Sequence, residues 1–156
     1  MSAAGPAPVT VVNTTTNPVP ITGVAENPAR QAAQQELLFT FTNGNQGTVQ
    51  AIPIPAHKIF VLEFVSFSAS LPANGVVREI LIVTNGPMIN GSRGRVGYQL
   101  AIPPPNAIFT NETLINGSQE VSLYAQPTTN LEVSVQLGQS NSNVRVALSG
   151  YFVNAQ

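Results

Sequence analysis

The chain has 156 residues, of which 43% are apolar and 8% charged, and its formal net charge is −1 at pH 7. That apolar share excludes global disorder, the length points to one domain, and six basic residues scattered singly leave nothing to grip a nucleic-acid backbone. One histidine, no cysteine, no tryptophan and no aspartate remove most of the groups from which active sites, disulfides and metal centres are built, so neither an enzyme nor a cofactor or metal is expected.

Residues 1–35 differ from the rest, being rich in Pro, Thr and Asn, and no charged side chain occurs before Glu26. Two short β-like runs, Val9–Val12 and Val19–Val24, are broken by Thr14–Pro18. Pro18 and Pro20 hold Val19 extended and lack amide donors, so this segment suits an edge or outer strand. Asn27-Pro28 predicts a short helical turn through Ala29–Gln35, with Asn27 as cap. The start of the chain lacks the basic and apolar regions of a signal peptide, and no apolar run is long enough to cross a membrane.

Residues 36–156 read as repeated strands. Leu37, Phe39 and Phe41 alternate with other residues, then Thr48–Ile54 follows. Lys58–Ser70 is the longest run; strict alternation places Ile59, Val61, Val65 and Phe67 on one face and Phe60, Leu62 and Phe64 on the other. Its first half is apolar on both faces, as in a central strand. Val76–Thr84, Val96–Ile102, Val121–Ala125, Leu131–Leu137 and Val144–Val153 complete the set. In Leu131–Leu137 every second residue is apolar, the clearest sign of one buried face.

Five Asn-Gly pairs (Asn43-Gly44, Asn74-Gly75, Asn85-Gly86, Asn90-Gly91, Asn116-Gly117) sit between or beside these runs. Both residues tolerate the positive φ that tight turns require. The expected fold is all-β: an antiparallel two-sheet sandwich, a jelly roll, preceded by an extended N-terminal strand. An immunoglobulin-type sandwich is the runner-up, without the cysteine pair and buried tryptophan that mark true immunoglobulin domains.

Residues 11–23 (VVNTTTNPVPITG), 27–31 (NPARQ), 54–70 (IPAHKIFVLEFVSFSAS) and 146–153 (VALSGYFV) resemble segments of small bacterial all-β proteins with an Asn-Pro-Val-Pro N-terminal element and a Ser-Gly-Tyr C-terminal strand. The resemblance implies a β-sandwich of bacterial or archaeal origin and transfers no functional residue.

Few residues stand out as sites. His57 has no Asp, Cys or second His to form a triad or metal site, and reads as a polar residue at a strand start. Glu63 interrupts an apolar strand and would pair with Arg78 if their strands are neighbours. Two of Glu63, Glu79, Glu120 and Glu132 form the only conceivable acid–base pair, of the kind that cleaves glycosides; solvent-facing strand residues are the commoner use. Residues 90–95 (NGSRGR) hold the only local concentration of positive charge, so Arg93 and Arg95 mark a ligand loop for a carboxylate or an acidic sugar, or else a solvated hairpin tip. Asn13, Asn90, Asn111 and Asn116 lie in glycosylation sequons.

With so little charge, the surface offers weak electrostatic resistance to self-association, although a polar secreted domain has the same composition. The expected function is a structural, self-assembling subunit of a surface filament, appendage or closed homo-oligomer, with Val9, Val11, Val12, Val19 and Ile21 anchoring an N-terminal strand on a neighbouring copy. The expected location is extracellular or at the cell surface. The alternative is a lectin-like module that binds glycans through loops at one end; for stacking it has only Tyr98, Tyr124, Tyr151 and seven phenylalanines, most of them in strands, and the lack of tryptophan and aspartate counts against it. The partners are therefore copies of the chain itself, or glycans, with no nucleic acid and no membrane insertion.

Overall fold

The computed structural model describes residues 30–42, 44–89 and 92–155. Nine strands run through them: β1 (Gln31–Phe41), β2 (Gly47–Pro53), β3 (Lys58–Pro72), β4 (Val77–Ile89), β5 (Ser92–Gln99), β6 (Ala107–Ile108), β7 (Glu112–Ala125), β8 (Asn130–Leu137) and β9 (Ser142–Asn154). They form a five-stranded sheet of order β1-β9-β3-β7-β6 and a four-stranded sheet of order β2-β8-β4-β5. All pairings are antiparallel.

Apart from the β4–β5 hairpin and the two-residue β6 beside β7, each connection takes the chain from one sheet to the other. That interleaving is the double Greek-key wrap of a jelly roll. An immunoglobulin sandwich keeps its first two strands in one sheet; here β1 and β2 open different sheets.

The core lies between the sheets. Phe39 and Phe41 of β1, Leu62 and Val65 of β3, Ile80 and Ile82 of β4, and Leu148 of β9 are fully buried. β8 contributes Leu131, Val133, Val135 and Leu137, all inward, with Glu132, Ser134 and Gln136 between them facing out. Burial of each large side chain contributes about 1.5–3 kcal/mol, which is why this strand's period-2 pattern dictates its register so firmly.

Three expectations need correction. Gln31–Gln35 is strand, not a helical turn: these residues pair with Leu148–Phe152 of β9. Ala and Gln are good helix formers, but propensity is a weak prior beside a continuous ladder. The boundary drawn at residue 35 therefore falls inside β1.

The faces of β3 also differ. Phe60, Leu62, Val65, Phe67, Ala69 and Leu71 all point into the core, while Phe64 is 39% exposed. The inward set switches from even to odd numbers because the register shifts between Leu62 and Phe64 against both β7 and β9. Glu63 is the extra residue, and both it and Phe64 end on the outer face. Gly150 makes this bulge feasible, since a Cβ there would overlap the Val61 carbonyl oxygen.

Lastly, two Asn-Gly pairs are not turns. Asn85-Gly86 sits in an irregularity of β4, and Asn116-Gly117 lies within β7. Asn74-Gly75 does turn, with Asn74 at φ 60° and the Gly75 amide donating to the Pro72 carbonyl at 2.8 Å.

Candidate functional site

The outer face of the five-stranded sheet is mostly low and polar. Ser66 and Ser68 of β3 lie beside Ser118 and Asn116 of β7, and beside Ala147 and Arg145 of β9. At the bulge this changes. Val61 is flanked in register by Tyr124 of β7 and Tyr151 of β9, and the next row sets Phe64 between Glu120 and Ser149. Two successive outward residues, Glu63 and Phe64, exist only because the bulge re-aims them.

The result is an open concavity of about 490 Å³ with Val61 in its floor and Glu63, Phe64, Glu120, Tyr124 and Tyr151 around it. Tyr124 is 55% exposed, whereas Val61 beneath the rings is only 6% exposed. The Arg30 guanidinium stacks over the Tyr151 ring, 4.4 Å from its centroid. Glu63 and Glu120 are exposed carboxylates with no hydrogen bond or ion pair among the described residues. Tyr98, the third tyrosine, is half-buried against the core on β5 of the other sheet.

The residues that the sequence singled out are thus partly gathered and partly dispersed. Glu63 and Glu120 share the concavity; Glu79 and Glu132 stand on the four-stranded sheet. Arg78 is on that sheet too, so it does not pair with Glu63. His57 occupies the turn before β3 at φ 60°, exposed, with its carbonyl accepting from the Ala155 amide at 2.9 Å.

The arginine loop is largely strand. Arg93 and Arg95 belong to β5, paired with Met88 and Asn85. Arg95 Nη2 donates to Glu132 Oε2 at 2.5 Å across the sheet, so its charge already has a partner. The Arg93 side chain lies outside the described part, as do Asn90 and the whole of residues 1–29, with Asn13, Val9, Val11, Val12, Val19 and Ile21. Asn111 and Asn116 are both exposed, and the Asn116 amide donates to Asn106 Oδ1.

Sequence reasoning missed Phe64, which alternation placed with the core. The signal was present: apolar residues switch parity around a lone Glu63. No protein-family model matches this chain, and no curated protein matches it either.

Proposed function

We propose that the chain is a structural, self-assembling subunit of a filament, appendage or closed homo-oligomer outside the cell, built by adding residues 1–24 of one copy as a strand to the β1 edge of another. The observation that carries this reading is the state of that edge. β1 has β9 on one side and no strand on the other among the described residues. The Ala155 amide bonded to the His57 carbonyl indicates which alternate β9 residues face β3. By alternation Ala32, Gln34, Glu36, Leu38 and Thr40 direct their backbone groups outward.

Lone proteins guard such an edge with Lys, Pro or a bulge. β1 has none of these through eleven residues. Its single charged side chain, Glu36, lies 3.2 Å from Arg145 of β9, and both side chains stay exposed. Leu38 is 50% exposed on this strand. The edges of β1 and β2 flank the same side of the sandwich, where Gln50 reaches Leu38.

A second β1 is a poorer occupant than the N-terminal segment. Symmetric pairing of two β1 strands along their full length sets Glu36 opposite Glu36, and like charges in that position are destabilising. Residues 1–24 carry no charged side chain, and Val9–Val12 retains all its amide donors.

The test is negative-stain microscopy with light scattering on the full chain, on a variant lacking residues 1–24, and on Leu38→Lys. Filaments or uniform rings from the full chain, lost in both variants while circular dichroism stays that of a β protein, are expected. Dispersed monomers from the full chain, or assembly that survives truncation, overturn the reading.

A further inference from the structure

Independently of assembly, the concavity at the β3 bulge has the makings of a ligand site. Aromatic rings are large apolar groups, and a sheet face left to water is ordinarily polar. Here two of the chain's three tyrosines and one phenylalanine converge on one spot, beside rows that carry Ser66, Ser68, Asn116, Ser118, Ala147 and Arg145. Three strands supply them, and the bulge with its obligatory Gly150 is what brings Phe64 and Glu63 outward.

The chemistry of the rim narrows the ligand. Glu63 and Glu120 are acceptors without partners among the described residues. Arg30 and the two phenol groups supply donors. Tyr124 offers an open ring face, while Tyr151 already carries a guanidinium. A cationic ligand would meet the Arg30 charge and compete with it for Tyr151. An anionic ligand would meet two carboxylates. A neutral polyol uses everything present: its hydroxyls donate to Glu63 and Glu120 and accept from Arg30, and its C–H face lies on an aromatic ring.

We infer that the bulge concavity, formed by Val61, Glu63, Phe64, Glu120, Tyr124 and Tyr151, binds a neutral carbohydrate, one pyranose ring stacked on Tyr124 with its hydroxyls bonded to the two glutamates. The site thus lies on a sheet face of the sandwich, in place of the loops at its end, and leaves Arg93 and Arg95 without a part in it.

The chain has no tryptophan and two of its three tyrosines line the concavity, so tyrosine emission responds to this site over a constant signal from Tyr98. The experiment titrates the full-length protein with a panel of short neutral oligosaccharides of hexose and of N-acetylhexosamine units, with tetramethylammonium as the cationic probe. At least one sugar is expected to change the emission saturably at millimolar concentration or below. Tyr124→Ala and Glu63→Gln should each weaken that sugar about tenfold. Tyr98→Phe, on the other sheet, should bind as the parent does. Heat-denaturation midpoints of the variants separate loss of the site from loss of the fold. No response to any sugar, equal binding by Tyr124→Ala, or tighter binding of tetramethylammonium than of any sugar each overturns the proposal. Because the readout is binding to the dispersed or assembled protein alike, its failure is separate from failure of the assembly reading.

Discussion

Gly117 of β7 stands directly across from Phe67 of β3, and the Phe67 ring fills the space that a side chain at 117 would need. A Cβ placed on Gly117 would lie 2.5 Å from Cε1 of that ring. An Asn-Gly pair that reads as a turn is therefore a strand position where the glycine leaves room for an aromatic neighbour, which in turn covers the exposed backbone.

Gly117→Ala should accordingly cost about 1–3 kcal/mol, the range for overpacking. Urea unfolding measures it. The obstacle is a side chain, so Phe67→Leu should absorb part of the penalty, and the double variant should lose less than the sum of the single losses by at least about 0.5 kcal/mol. Strict additivity would mean that the ring and the glycine are not in contact.

Gly150→Ala should be worse. The atom in the way is the Val61 carbonyl oxygen, part of the β3 backbone, with the Leu62 Cα just behind it. Trimming a neighbouring side chain cannot relieve a backbone clash, so no variant at Phe60 or Leu62 should restore stability. A Gly150→Ala protein with an unfolding free energy from urea titration within about 0.5 kcal/mol of the parent, the range of an innocuous surface change, refutes the close approach at the bulge.

These two glycines also mark where the fold was legible in the sequence and where it was not. Leu131–Leu137 is read correctly because an uninterrupted strand with one buried face has a strict period of two. In β3 the same rule fails, because one extra residue at Glu63 reverses the parity and sends Phe64 outward. Gln31–Gln35 carries no alternation at all; only the length of β9 beside it makes it a strand. As for the concavity, Glu63, Tyr151 and the Glu120–Tyr124 stretch of β7 lie far apart in the chain. Their meeting depends on the register of three strands, which no local pattern encodes.

The Arg95–Glu132 pair yields a small number. The side chains are 63% and 32% exposed, and exposed ion pairs contribute from nothing to about 1 kcal/mol. Glu132→Gln should thus cost less than about 1 kcal/mol, and the difference should shrink in roughly 1 M salt, where the screening length falls to about 3 Å. A larger, salt-insensitive loss would assign this pair a structural part that its exposure does not suggest.

The last prediction concerns Gln50, whose Nε2 donates to the Leu38 carbonyl at 2.6 Å. That carbonyl points away from β9, toward the side where an added strand would lie. Under the proposed assembly Gln50 occupies the place of one hydrogen bond from an added strand, and an incoming segment must displace it. Gln50→Ala removes the competitor. Taken alone, the subunit should lose no more than about 0.5–1.5 kcal/mol, the usual net contribution of one hydrogen bond. Assembly should move the other way: the concentration needed for half-assembly should fall by a few-fold and up to about tenfold, the equivalent of the same hydrogen bond no longer opposed. Light scattering across a dilution series measures it. In the variant lacking residues 1–24 the substitution should have no effect on association, because the strand that profits from the free carbonyl is gone. Weaker assembly by Gln50→Ala in the full chain would show that Gln50 is part of the contact and that the β1 edge is not the acceptor.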